Sequence, residues 1–344
     1  MTAPQALQDP EAPSAGARPE PRRRRRRMRR IAVIVLAGVG LIGVVVSTGG
    51  APVGHFRSGA DKDRFTRAYD AAMADLPAPD ETLDLRTSYG VVRAYRFDGA
   101  DPDAPPLVLL PGRASASPVW AGNLPSLRRL RTVWTLDLLG EPGMSIQSRP
   151  IEGDADQARW LAEALDALPA DEVHLLGLSI GGWTAMNLAT REPSGIASVA
   201  LLDPVFTFAG VSPQAMVRAI PASVPWFPRS WRDSFSSWTA GGAPVEGEPV
   251  ADMIEAGMQT YRLALPAPSR LSEESLAGLD VPVLAIIAGE SVMHDGATTA
   301  AFAERVLPRG RVELYAGASH AVNGEHPDRI AADLAAFLAD VERP

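Results

Sequence analysis

The sequence predicts an α/β fold: a mostly parallel, twisted sheet with helices on both faces, and a helical cap inserted over one end. Three observations carry this. Apolar runs such as "PLVLLPG" (106–112), "TVWTLDLLG" (132–140), "EVHLLGLS" (172–179), "IASVALLDP" (196–204) and "VPVLAIIAGE" (281–290) are nearly continuous, as in strands buried on both faces. Helical patterns fall between them; in "DADQARWLAEALDAL" (154–168), Ala158, Leu161, Leu165 and Leu168 mark one face. Residues 205–275 break the alternation with many prolines, with Trp226, Trp231 and Trp238, and with no convincing strand.

Ahead of the sheet, residues 1–21 are rich in Pro, Ala, Gln and Gly and show no apolar period, so residues 1–30 read as a disordered basic tail. That tail ends in "RRRRRRMRR" (22–30) and runs straight into "IAVIVLAGVGLIGVVV" (31–46). As a helix the apolar run would span about 24 Å, a little short of the ~30 Å hydrocarbon core. Arginines beside an uninterrupted apolar run form a membrane signature. Residues 31–47 are therefore expected to be a single-pass anchor, with the arginines cytoplasmic and the rest of the chain extracytoplasmic. A cleaved signal, giving a secreted protein, is the alternative. Residues 48–60 read as a linker and 61–344 as the folded domain.

Charge supports that division. Nine Arg against Asp9, Glu11 and Glu20 give residues 1–46 a charge of +6, so the remainder carries −14 of the total of −8. An acidic domain argues against nucleic acid as a partner. Cysteine is absent, which excludes disulfides and thiol chemistry.

Within the domain, "ETLDLRT" and "VVRAYRFDG" read as a hairpin turning at Tyr89-Gly90. The five apolar strands follow, then "RVELYAG" (311–317), and "PDRIAADLAAFLADV" closes the chain as a helix. The most informative stretch is "LLGLSIGGWTAM", in which Gly177-Leu178-Ser179-Ile180-Gly181 fits G-x-S-x-G where a strand ends and a helix begins. Such a turn lifts the serine oxygen clear of the sheet and sets the Ile180 amide beside it.

With those residues, the chain from about residue 80 to 344 resembles the α/β-hydrolase superfamily, in its serine esterase and lipase-like branch. The resemblance implies that Ser179 is the nucleophile and that 205–275 is the cap. "LLPGRASASPVW" resembles the early oxyanion loop, implying that the amide of Arg113 joins that of Ile180. Pro111 stands where relatives often have His, which costs little because the donors are backbone groups. "LDLLGEPGMS" (136–145) resembles a loop that borders the pocket, with Asp137 structural.

A serine hydroxyl needs a neighbouring base. Of the five histidines, His55 falls in the linker, His174 within a strand, His294 one loop too early and His326 beside the last helix. His320, after the last strand, stands where the family carries its base. The order Ser, acid, His puts the acid after the strand ending near Gly289. Relatives often read G-E-x-D there, but the matching position is Val292. A longer-spaced variant of that loop points to Asp295, with Glu290 as a loop-orienting acid. Asp203, after the preceding strand, and Glu290 are the alternatives. The expected function is hydrolysis of carboxylic esters, with an apolar acyl group and neither metal nor cofactor. Acyl transfer, cofactor-free haloperoxidase-like chemistry and non-catalytic binding on the same scaffold are the other readings.

Overall fold

The computed structural model describes Met1 and residues 51–343. The expected tail and anchor, residues 2–47, lie outside the described residues. Among those described, no helix is long and apolar enough to cross a membrane.

The expected linker is partly structured. Strand β1 (His55–Phe56) pairs antiparallel with a short strand at Tyr261–Arg262, and helix α1 (Gly59–Met73) follows, its start capped by Ser58 accepting from the Asp61 amide. Phe65, Tyr69 and Ala72 bury one face of α1. Their spacing of four and three is a helical stripe, and it lies in the expected domain just past the expected linker.

The sheet has nine strands. Strand β2 (Glu81–Thr87) and β3 (Gly90–Phe97) form the expected hairpin, and Gly90, at φ +149°, supplies the turn conformation that a side chain would resist. Then come β4 (Leu107–Leu110), a short helix α2 (Leu124–Leu127), β5 (Val133–Leu136) and a short strand β6 (Ile146–Gln147). Helix α3 (Asp154–Asp166) leads to β7 (Val173–Leu178), α4 (Ile180–Ala189) and β8 (Ile196–Leu202). The insertion contributes α5 (Pro213–Ala222), α6 (Arg229–Thr239), α7 (Pro249–Thr260) and β9 (Tyr261–Arg262). It is helical as expected, apart from that two-residue strand. The chain finishes with α8 (Glu273–Ala277), β10 (Val283–Ala288), α9 (Gly296–Val306), β11 (Gly310–Tyr315), α10 (Val322–Glu325) and α11 (Pro327–Val341).

Spatial order is β11-β10-β8-β7-β4-β5-β3-β2, with β6 on β3; the six strands from β11 to β5 are parallel, and the hairpin adds antiparallel at one edge. Every residue of β4, β5, β7 and β10 is buried, as their unbroken apolar runs require. One core, with Trp160 and Trp183, lies on one face; the other, with Phe65, Trp120 and Phe337, lies on the opposite face.

Candidate active site

The serine turn joins β7 to α4. Ser179 has φ +54° and ψ −114°, a conformation costly for any residue with a side chain. Close approach explains the flanking glycines: a Cβ on Gly177 would lie 2.5 Å from the Gly181 carbonyl, and one on Gly181 only 2.2 Å from Leu110 O. The Ser179 amide donates to Leu202 O at 2.9 Å, locking the turn to the end of β8.

Ser179 Oγ lies 2.9 Å from His320 Nε2, and His320 Nδ1 lies 2.6 Å from Asp203 Oδ2. Asp203 immediately follows β8, which neighbours the serine strand, and His320 comes from the loop between β11 and α10. Asp203 is fully buried and carries its own strain at φ +42°. Its Oδ1 accepts from the Ala288 amide at 3.0 Å, and its Oδ2 from Ser291 Oγ at 2.6 Å. Burial alone would raise its pKa; the polar contact with His294, the hydrogen bond from His320 and the charge both rings can carry outweigh it and hold the carboxyl well below the usual range.

The expected acid therefore needs correcting. Asp295 is exposed and caps the N-terminus of α9, its carboxylate accepting from the Thr298 amide at 2.8 Å. The Thr298 side chain first, and then its amide, lower the Asp295 pKa. Among the described residues Asp295 makes no hydrogen bond or ion pair with His320, whose partners are Asp203 and Ser179. Glu290 is exposed too; its amide, not its carboxylate, ties the loop to Ala318 O at 2.9 Å. The sequence held a usable signal: Asp295 stands three residues before Thr298 at a helix start, which is the N-cap pattern.

Of the two residues in the oxyanion reading, Arg113 lies in the loop after β4 and Ile180 directly follows Ser179. Ile180 opens α4, and a Cβ on Gly112 would lie 3.6 Å from Ser179 Cβ. Among the described residues neither amide is taken up by a hydrogen bond. Buried Glu141, which sequence reasoning did not single out, braces this loop: its Oε1 pairs with Arg113 Nη1 at 2.7 Å and its Oε2 accepts from the Ala114 amide at 3.1 Å. Burial pushes the Glu141 pKa up, against the pull of Arg113 and that amide. Asp137 is structural, as read: it accepts from Ser117 N, Ser117 Oγ, Met144 N and the Tyr69 hydroxyl.

A water-sized cavity of about 10 Å³ lies beside the loop after β4, lined by Arg113, Glu141, Gln157, Trp160, Trp183 and Leu265 among others. Its tryptophans come from α3 and α4. The cap's Trp226 and Trp231 are instead exposed, packing edge-on against Phe227. Three further histidines are structural or peripheral: His174 bonds Ser198 at 2.8 Å, His55 bonds Val53 O at 2.8 Å, and His326 meets the Tyr315 ring edge-on. Among the described residues no cluster of side chains could hold a metal ion.

Sheet order, strained serine turn and helical insertion define the α/β-hydrolase fold. A family model described as the alpha/beta hydrolase fold matches residues 105–242. In particular, the chain is similar to carboxylesterase YbfK of Bacillus subtilis, 24% identical over 282 residues that span 80% of this chain and 93% of the relative. The crystal structure of that enzyme superposes with a TM-score of 0.75 at 23% identity, covering 82% of this chain and 99% of its own. Naproxen esterase of Bacillus subtilis gives the same TM-score, identity and coverage.

Proposed function

We propose that the protein hydrolyses carboxylic esters through an acyl-enzyme intermediate. Ser179 is the nucleophile, His320 the general base and then acid, and Asp203 the residue that orients the imidazole. The single observation that carries this is the unbroken relay from Ser179 Oγ through His320 to Asp203, at 2.9 and 2.6 Å. With Nδ1–H donated to the carboxylate, Nε2 is free to take the serine proton. The attacking oxygen bonds the ester carbon, and the carbonyl oxygen gains the charge that the Ile180 and Arg113 amides stabilise. The imidazolium then gives its proton to the leaving alcohol. Water, deprotonated by His320, releases the acid and restores the serine.

Leu138, Trp160, Trp183 and Leu265, which border the cavity alongside Arg113, Glu141, Gln157 and Thr184, support an apolar acyl group packed on that side. The names of the Bacillus relatives support ester hydrolysis. The basic tail and apolar run of residues 22–46 support attachment to the cell membrane, with the hydrolase domain on the extracytoplasmic side.

Hydrolysis of p-nitrophenyl esters of increasing chain length tests the reading. Activity is expected to vanish in Ser179→Ala, along with labelling by a fluorophosphonate. An undiminished rate in that variant removes the serine-hydrolase reading.

A further inference from the structure

Asp203 faces two imidazoles, and the reaction uses one. His294 is buried, and its Nε2 lies 3.3 Å from Asp203 Oδ1, off the line of an ideal hydrogen bond; it has no aligned partner among the described residues. Its Nδ1 lies 3.2 Å from the hydroxyl of Thr299, itself buried at the start of α9. That pairing orients the ring. If neutral His294 carried its proton on Nδ1, it would aim a lone pair at a buried carboxylate. With Thr299 donating to Nδ1, the proton sits on Nε2 and points at Oδ1. A fully protonated ring also presents Nε2–H to the acid.

We propose that His294 is a positioning residue for the proposed hydrolysis: it holds Oδ1 of Asp203 so that Oδ2 stays aimed at His320. The need is local. The acid sits on a strained backbone at φ +42°, and rotation about its side chain would swing Oδ2 off the imidazole. Among the described residues Oδ1 is otherwise held only by the Ala288 amide, whereas Oδ2 already serves Ser291 and His320. The loop after β10, which has Val292 where the resemblance expects an acid, thus brings an imidazole to support the acid of the neighbouring strand. This rests on the proposed function above, and its test separates the two.

The full-length chain is compared with His294→Leu and His294→Gln by kcat and KM on a p-nitrophenyl ester. Fluorophosphonate labelling of Ser179 and the far-downfield proton resonance of the His320–Asp203 hydrogen bond are followed alongside. Losing this polar contact to a charged group predicts that Leu lowers kcat roughly tenfold, with KM within about twofold. Labelling slows in step, and the downfield resonance shifts or broadens. Gln, which keeps a donor near the Nε2 position, restores most of the rate. Should His294→Leu fail to fold, Thr299→Val and Thr299→Ser replace it: Val frees the ring to turn its proton away and slows labelling, while Ser does not. A Leu variant that turns over and labels at the wild-type rate, with the resonance unmoved, overturns the proposal. So does a Gln variant no better than Leu, since packing alone would then account for the loss. A wild-type protein that neither hydrolyses esters nor labels at Ser179 overturns the proposed function instead.

Discussion

At the residue scale the decisive comparison is between two aspartates. Asp203→Asn keeps the shape but presents the amide to His320 and favours the wrong imidazole tautomer, so kcat is expected to fall by about 10⁴. Asp295→Asn should leave kcat within a few-fold, because the group touches only the start of α9; Asn is also a good N-cap. Ester-hydrolysis rates of the two purified variants, with folding checked by circular dichroism, decide it: a crippled Asp295→Asn beside a near-normal Asp203→Asn reverses the assignment. Asp203 also sets a pH dependence. Its folded pKa lies below the unfolded value of about 4, so its stabilisation is fully present above that pH and is lost on acidification. The gap in urea midpoint between wild type and Asp203→Asn should therefore be widest near neutrality and narrow as pH falls below about 4. A gap that widened on acidification would contradict the sign. Ser179 and His320 were legible because a strand-to-helix turn and a final loop fix their places by local pattern. The acid was not, since three carboxylates satisfied chain order. Only the lateral neighbourhood of β7 and β8, a non-local fact, brings Asp203 to the imidazole.

At the element scale the sheet was readable strand by strand, because strands buried on both faces leave unbroken apolar runs. The hidden parts were amphipathic or paired at long range. Helix α1, almost wholly inside the expected domain, was not singled out among its helical patterns, and β1, within the expected linker, exists only because residues 261–262 come to meet it. The cap hides a further tie. Glu255 of α7 is buried; its Oε1 accepts from Arg232 Nη2 of α6 at 2.7 Å and its Oε2 from Arg64 Nη2 of α1 at 3.0 Å. Arg232 is buried as well, so removing the carboxylate strands a charge. Glu255→Leu should cost about 3–5 kcal/mol, and adding Arg232→Met should recover much of it, since a buried pair is often replaceable by apolar groups. Urea unfolding of the single and double variants checks this. A double variant as unstable as the single would mean that shape, not charge, governs the contact.

At the scale of the whole molecule, the charge is divided so sharply that the two ends of the chain suit different surroundings. Residues 1–46 carry +6, while the remainder carries −14 and holds the entire sheet with both of its cores. A domain so built has what it needs to fold and stay dispersed without the basic end. Deleting residues 1–50 should therefore release a soluble protein with the esterase activity of the full chain. The intact chain should sediment with membranes and resist extraction by high salt, because an apolar run in lipid, unlike arginines on anionic headgroups, is not screened by ions. Protease added to intact cells should then reach the hydrolase domain. Protection in intact cells, with cleavage only after lysis, would invert the orientation. A mature N-terminus near residue 48 in the medium would replace the anchor with a cleaved signal. Salt extraction of the full chain would reduce the attachment to arginines alone.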